Sequence, residues 1–252
     1  MSTNHKPTLR VLSVIEAIAL KKDGYKLSEL SKLLNIPIGT LSPIIHTLKE
    51  KKYLSYNQLS QQYCTGIKLL EIGSSYIKNS NRYDDVIEVI ETIVDECGET
   101  CHFGVLDEGD ILYIAKVDSD QAVRLHSAIG KTIPAYGTAI GKALLKDYSM
   151  EELQELYPAG LKPLTPYTIT DFDILYNQLQ NIKESGFAYE CEESNESIRC
   201  IAKSIYKNGK VAAALSVAVP IFRYSEEKRK LIEQVLTEGA KTIEKLILYL
   251  TI

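Results

Sequence analysis

The chain has 252 residues, 45% of them hydrophobic and 25% charged, and a formal net charge of −4; this is a folded globular composition and excludes a disordered or collagenous chain. No apolar run approaches the roughly 20 residues of a bilayer-spanning helix, and Met1 to Arg10 lacks the apolar core of a secretory signal, so a cytoplasmic protein of one large or two modest domains, with no membrane partner, is expected. The five cysteines, at positions 64, 97, 101, 191 and 200, are odd in number and argue against structural disulfides.

The net charge hides an asymmetry. Residues 1–66 hold nine Lys/Arg and four Asp/Glu, a balance of +5, and the rest of the chain holds 20 and 29, a balance of −9. A basic head on an acidic body points to a nucleic-acid-binding segment attached to something else.

In the head, Leu9, Leu12, Ile15, Ile18 and Ala19 recur at helical spacing ahead of Lys21-Lys22 and Gly24, which predicts a first helix. A short second helix is predicted over residues 28–34, with Ser28 as N-cap, Ser31 outward, and Leu30, Leu33 and Leu34 inward. Past Asn35-Ile36-Pro37, a third helix is predicted to begin at Gly39-Thr40. With Thr40 as N-cap, Pro43 falls in the first turn, where its missing N–H costs nothing. Leu41, Ile44, Ile45 and Leu48 then form the buried stripe, and Ser42, His46, Thr47, Lys49 and Glu50 the outer face, with Lys51 and Lys52 following.

Helix, short helix, turn and polar-faced helix is the helix-turn-helix pattern, whose last helix enters the major groove of double-stranded DNA. Tyr53 to Tyr56 and Gln62 to Thr65 read as the two strands of a wing. A plain three-helix bundle is the alternative, and the charge split and the wing weigh against it. Hydroxyl and imidazole groups near a helix start reach base edges, while lysines hold phosphates. Thr40, Ser42, His46, Thr47 and Lys49 are therefore the candidate DNA contacts.

The body opens with a helix through Ile67, Leu70, Ile72, Tyr76 and Ile77, and a second over residues 84–97 with Val86, Ile87, Val89, Ile90, Ile93 and Val94 as its apolar face. Strands are predicted over residues 100–106, 111–117 and 122–128, the first two joined by an Asp107-Glu108-Gly109-Asp110 turn. Helices follow over 138–146, 150–156 and 171–184, the last ended by Ser185-Gly186. Three more strands, over 187–192, 198–206 and 211–219, flank the hairpin dipeptide Asn208-Gly209, and a final helix covers 226–249. The expected fold class is α+β: a winged helix-turn-helix over residues 1–66, a linker helix over 67–82, and an antiparallel sheet of about six strands flanked by helices over 83–252.

Ordered strings carry a resemblance across nearly the whole chain. The head has Leu27-Ser28-Glu29-Leu30, Ile36-Pro37-Ile38-Gly39-Thr40 and Tyr63-Cys64-Thr65-Gly66. The body has Gly130-Lys131-Thr132-Ile133-Pro134, the run Gly137-Thr138-Ala139-Ile140-Gly141-Lys142-Ala143, then Leu164-Thr165, Thr168-Ile169-Thr170, Gly186-Phe187-Ala188 and Arg199-Cys200-Ile201-Ala202. In these strings the chain resembles the IclR family of bacterial transcriptional regulators. The resemblance implies a GAF-like C-terminal domain that binds a small, usually acidic metabolite, and homodimers or homotetramers on near-palindromic operators. It also implies that ligand carboxylate oxygens meet the backbone amides of Ala139 and Ile140 at a helix start, where free N–H groups favour anions. By the same resemblance, Glu190, Cys200 and Ser216 make polar contacts, and Ala122, Leu125, Ile133 and Ile198 form an apolar wall. Three positions depart from the family pattern: Glu190 replaces a common aspartate, Ala218 a serine of some oxo-acid binders, and Pro43 an arginine frequent in the recognition helix.

Enzyme motifs are missing: there is no H-E-x-x-H, no G-x-S-x-G and no phosphate-cradling G-x-x-x-x-G-K-[ST] loop. Cys200 has only His126 as a conceivable base, so no catalytic residue and no cofactor are expected. Cys97, Cys101 and His102 are spaced as a metal site would need only if one helix carried both cysteines, and Gly98 interrupts it, so no metal is expected. A Cys191–Cys200 redox pair and a metabolite-binding module acting through protein contacts are the competing readings. The redox pair requires Cys191 to face Cys200, which excludes Glu190 from doing so, because side chains alternate along a strand.

Overall fold

The head's apolar periodicities resolve into α1 (Lys6–Ala19), α2 (Leu27–Leu33) and α3 (Ile38–Glu50), followed by the wing strands β1 (Leu54–Asn57) and β2 (Gln62–Thr65) and helix α4 (Ile67–Asn79). These come from a computed structural model that describes residues 4–79, 83–122 and 127–247. The chain divides into two compact units, Met1–Ser80 and Asn81–Ile252.

In the first unit, Val14, Ala17, Ile18, Leu30, Leu41, Ile45, Leu48 and Leu54 close one core. Helix α1 carries two apolar stripes. The one through Val14, Ala17 and Ile18 meets α2 and α3, so Leu9, Leu12 and Ala19 stay exposed, against expectation. Helix α2 is not capped by Ser28. The carboxylate of Glu29 accepts the Lys26 N–H at 3.0 Å and holds the helix start one residue earlier. Ser31 turns inward and donates to the Ile36 carbonyl at 2.7 Å, which pins the turn, while Leu33 is exposed.

Helix α3 also begins before the predicted point. Pro37, with φ of −55°, is its N-cap, and its carbonyl accepts from the N–H groups of Thr40 and Leu41. Pro43 therefore lies inside the helix and not in its first turn. Its ring denies the Gly39 carbonyl an amide partner, a defect tolerable here because Gly39, Ser42, Pro43 and His46 form a solvent-exposed stripe. The wing gains a third segment, since Tyr25 exchanges two backbone hydrogen bonds with Tyr63.

The second unit contains α5 (Tyr83–Cys97), β3 (Thr100–Asp107), β4 (Asp110–Val117), β5 (Thr132–Pro134), α6 (Ala139–Leu145), α7 (Met150–Leu156) and α8 (Phe172–Ser185). It continues with β6 (Ala188–Cys191), β7 (Ile198–Lys207), β8 (Lys210–Pro220) and α9 (Glu226–Ile247). The six strands form one antiparallel sheet in the order β5-β4-β3-β8-β7-β6, giving the expected α+β architecture. Of the strand expected over 122–128, residues 123–126 lie outside the described residues and Ala122, Ser127 and Ala128 belong to no strand; the short β5 pairs with the start of β4. At the other end of the middle segment, Gly186 ends α8 as expected, in the left-handed region at φ 76° that a Cβ disfavours.

Strand alternation gives the sheet two unlike faces. Cys101, Phe103, Ile201, Leu215, Val217 and Val219 pack against α5 and α9. Tyr113, Ala188, Ala202 and Ala214 lie under α6 and α8. The small alanines of this second face let α6 settle close to the strands, and the candidate site is built there. Among the described residues no helix is long and apolar enough to cross a membrane.

Candidate functional site

Helix α6 starts from a 3-10 turn at Ala135–Gly137 and is capped by Thr138, whose Oγ1 accepts the Gly141 N–H at 3.0 Å and donates to the Ala135 carbonyl at 3.3 Å. A Cβ on Gly141 would stand 2.1 Å from the Ala135 oxygen, so only glycine lets the helix fold back onto that turn. Ala139 and Ile140 are buried in the first turn, whose amides have no acceptor within the helix.

Below α6 the strand register sets out the polar groups. Glu190 on β6 faces Cys200 on β7, and Cys200 faces Ala218 on β8. One step along the same face, Ala202 pairs with Ser216, and Ser216 pairs with His102 on β3. The structure thus brings Glu190, Cys200 and Ser216 onto one face, with Ile198 two residues from Cys200 and Ile133 packed at the margin of the same core. Leu125 lies outside the described residues, and Ala122, expected in the apolar wall, is exposed.

Glu190 is 3% exposed. Its Oε1 accepts from the Ser194 N–H at 2.9 Å, and its Oε2 has no partner among the described residues. Burial raises its pKa above the usual carboxylate value. Burial also pushes the Cys200 thiol well up, with Glu190 adding to the effect, and holds the Tyr113 phenol protonated beside both. Neither the Cys200 thiol nor the Tyr113 phenol is poised as a nucleophile at neutral pH.

Two features escaped the sequence reading. Lys142 is fully buried, and its Nζ donates to Glu193 Oε1 at 2.5 Å and to Gln178 Oε1 at 2.8 Å. It ties α6 to α8 and to the β6–β7 loop, which Thr165 and Thr168 also hold through the carbonyls of Glu192 and Glu193, each at 2.6 Å. Burial lowers the Lys142 pKa, against the opposing pull of Glu193. The available signal was a lysine in a helix otherwise made only of Ala, Ile, Gly and Leu. The second feature is His102, flanked in sequence by the core residues Cys101 and Phe103 and turned to the opposite face from them.

The competing cysteine readings fail on geometry. Cys191 faces Arg199, not Cys200, and is exposed, so the redox pair does not form. Cys97 and Cys101 are buried on the α5/α9 side, whereas His102 points away from them, so the three do not converge.

In the first unit, Ser42, His46, Thr47 and Lys49 are exposed on α3 and Thr40 is half-buried. The Thr47 hydroxyl donates to the Pro43 carbonyl at 2.9 Å, and the Lys49 ammonium sits 5.3 Å above the Tyr56 ring, linking α3 to the wing.

Comparison with known proteins agrees with this architecture. The family model "Bacterial transcriptional regulator IclR C-terminal" matches residues 75–245. The chain is 31% identical over 237 residues to the HTH-type transcriptional regulator KdgR of Escherichia coli (strain K12), covering 93% of this chain and 90% of that one. The crystal structure of the Thermotoga maritima IclR superposes with a TM-score of 0.72 at 29% identity, covering 97% of this chain and 100% of that one. An IclR homolog from Microbacterium hydrocarbonoxydans, solved with 4-hydroxybenzoate, shares the fold with a TM-score of 0.79 at 20% identity, over 96% and 98% of the two chains. The chain therefore belongs to the IclR family and is a DNA-binding transcriptional regulator with a ligand-binding C-terminal domain, not an enzyme.

Proposed function

We propose that this regulator senses a small carboxylate or sugar-acid metabolite between α6 and the sheet, and that occupancy alters its affinity for operator DNA. The observation that carries the reading is the convergence of Glu190, Cys200 and Ser216 on one sheet face beneath the buried start of α6. The first-turn amides of Ala139 and Ile140 take the carboxylate, Glu190, Cys200 and Ser216 take hydroxyl or carbonyl groups, and Leu125, Ile133 and Ile198 form the apolar wall. Amides, not net charge, set the preference for an anion, which reconciles it with the acidic body. The 4-hydroxybenzoate held by the Microbacterium homolog is itself a carboxylate.

Residues 1–66 are the DNA-binding domain, 67–82 the linker and 83–252 the effector domain. On the operator, Thr40, Ser42, His46, Thr47 and Lys49 make the contacts, and the protein acts in the cytoplasm as a homodimer or homotetramer. Leu9 and Leu12 on α1, and Ile67, Leu70 and Ile72 on α4, leave apolar surface exposed on the first unit and support self-association. A thermal-shift screen of small carboxylates tests the pocket: a ligand at a hundred times its Kd adds about 2.7 kcal/mol. Replacing Glu190 or Ser216 abolishes that shift and leaves DNA binding intact; a retained shift refutes the site.

A further inference from the structure

His102 rises from the middle of β3 and is 1% exposed. Alternation turns it toward the face of Glu190 and Cys200, and the register places it directly opposite Ser216. Its Nε2 lies 2.6 Å from the Ser127 Oγ, and Ser127 is itself held by Lys116, whose Nζ donates to the Ser127 carbonyl at 2.8 Å. The Tyr113 ring flanks the imidazole at 5.1 Å. The ring is thus fixed from one end, while its Nδ1 is buried with no partner among the described residues. Folded proteins rarely leave a buried polar atom in that state unless a ligand or water completes it.

Resting on the reading above and deepening it, we propose that His102 is an effector-contact residue whose Nδ1 hydrogen-bonds an oxygen of the bound carboxylate. In this arrangement Ser127 donates to Nε2, so that Nδ1 carries the proton and faces the ligand as a donor. The sheet then contributes a donor of its own beside Ser216, and a ligand oxygen there bridges β3 and β8.

Two substitutions separate this role from simple anchoring of Ser127. Asparagine places its amide near the position of Nδ1, and glutamine near that of Nε2. Full-length wild type, His102→Asn and His102→Gln are titrated calorimetrically with pyruvate, gluconate and 4-hydroxybenzoate. For the carboxylate that wild type binds, His102→Asn keeps the affinity within about threefold and His102→Gln loses at least about tenfold. The reverse order, or equal affinities, overturns the proposal and leaves the carboxylate-sensing reading standing. Should wild type bind none of the probes, that reading and this one fall together. A measurement on wild type alone covers the case of a variant that does not fold: in protein labelled with nitrogen-15 at histidine, the assigned His102 Nδ1 resonance moves on saturation with the bound carboxylate. An unmoved resonance overturns the proposal.

Discussion

Acidification from pH 7 to pH 5 is expected to remove about 2 kcal/mol of folding stability through His102. Burial first, and then the Lys116 ammonium, lower its pKa from 6.5 to about 4, with Asp118 pulling weakly the other way. The folded state therefore keeps the imidazole neutral at pH values where the unfolded chain has already taken up a proton. Between about 4 and 6.5 the unfolded state binds more protons, so stability rises with pH. The contribution is complete above 6.5 and lost as the pH falls toward about 4. The full window is worth about 3 kcal/mol, and about 2 kcal/mol of it lies between pH 7 and pH 5. The perturbation is His102→Gln, which leaves a polar group near Ser127 and removes the titration. Urea denaturation of both proteins at pH 7 and pH 5 gives the difference of differences. Contributions from the rest of the chain are common to both proteins and cancel. A variant that loses as much stability on acidification as wild type would show that His102 is not held neutral by burial.

Other substitutions probe the scaffold and the DNA face. Lys142→Met leaves Glu193 buried without its ion-pair partner, with Oε2 already unpaired; a loss of about 3–5 kcal/mol is expected in guanidinium denaturation, and adding Glu193→Leu recovers more than half of it. Gly141→Ala and Gly39→Ala have opposite signs. The first forces the Ala135 backbone away from a 2.1 Å contact and lowers stability by about 1–3 kcal/mol. The second meets nothing within 4 Å and stabilises α3 by up to about 1 kcal/mol, so melting temperatures move in opposite directions. Lys49→Ala lowers the slope of log affinity against log salt for promoter DNA by about 1, which a filter-binding series at several salt concentrations measures.

Local rules made much of this fold legible. Asn208-Gly209 and Glu108-Gly109 marked their hairpins because both residues of each pair adopt positive φ. Gly186 marked a helix end for the same physical reason. The errors arose where a second contact outweighed the local signal. Ser28 is a good N-cap in isolation, yet Glu29 reaches the Lys26 amide first. Pro43 falls in the first turn only if Thr40 is the cap, and Pro37 takes that place instead. The strand expected over 122–128 falls largely outside the described residues, and Thr132–Pro134, which the period did not mark, pairs with the start of β4. At the site, Glu190, Cys200 and Ser216 came from family resemblance, and the register alone shows that they share a face. Lys142 and His102 were missed because their roles depend on partners 51 and 25 residues away, Glu193 and Ser127, which no local pattern encodes.

Coupling between the carboxylate pocket and operator binding is measured by titrating the protein's own upstream promoter DNA in the presence and absence of the carboxylate that shifts its melting temperature, for wild type and Ser216→Ala. Both proteins are expected to bind the promoter in a salt-dependent manner, with a ligand-dependent change in affinity for wild type and none for Ser216→Ala. Promoter affinity that ignores the ligand in wild type, or responds equally in Ser216→Ala, would contradict it.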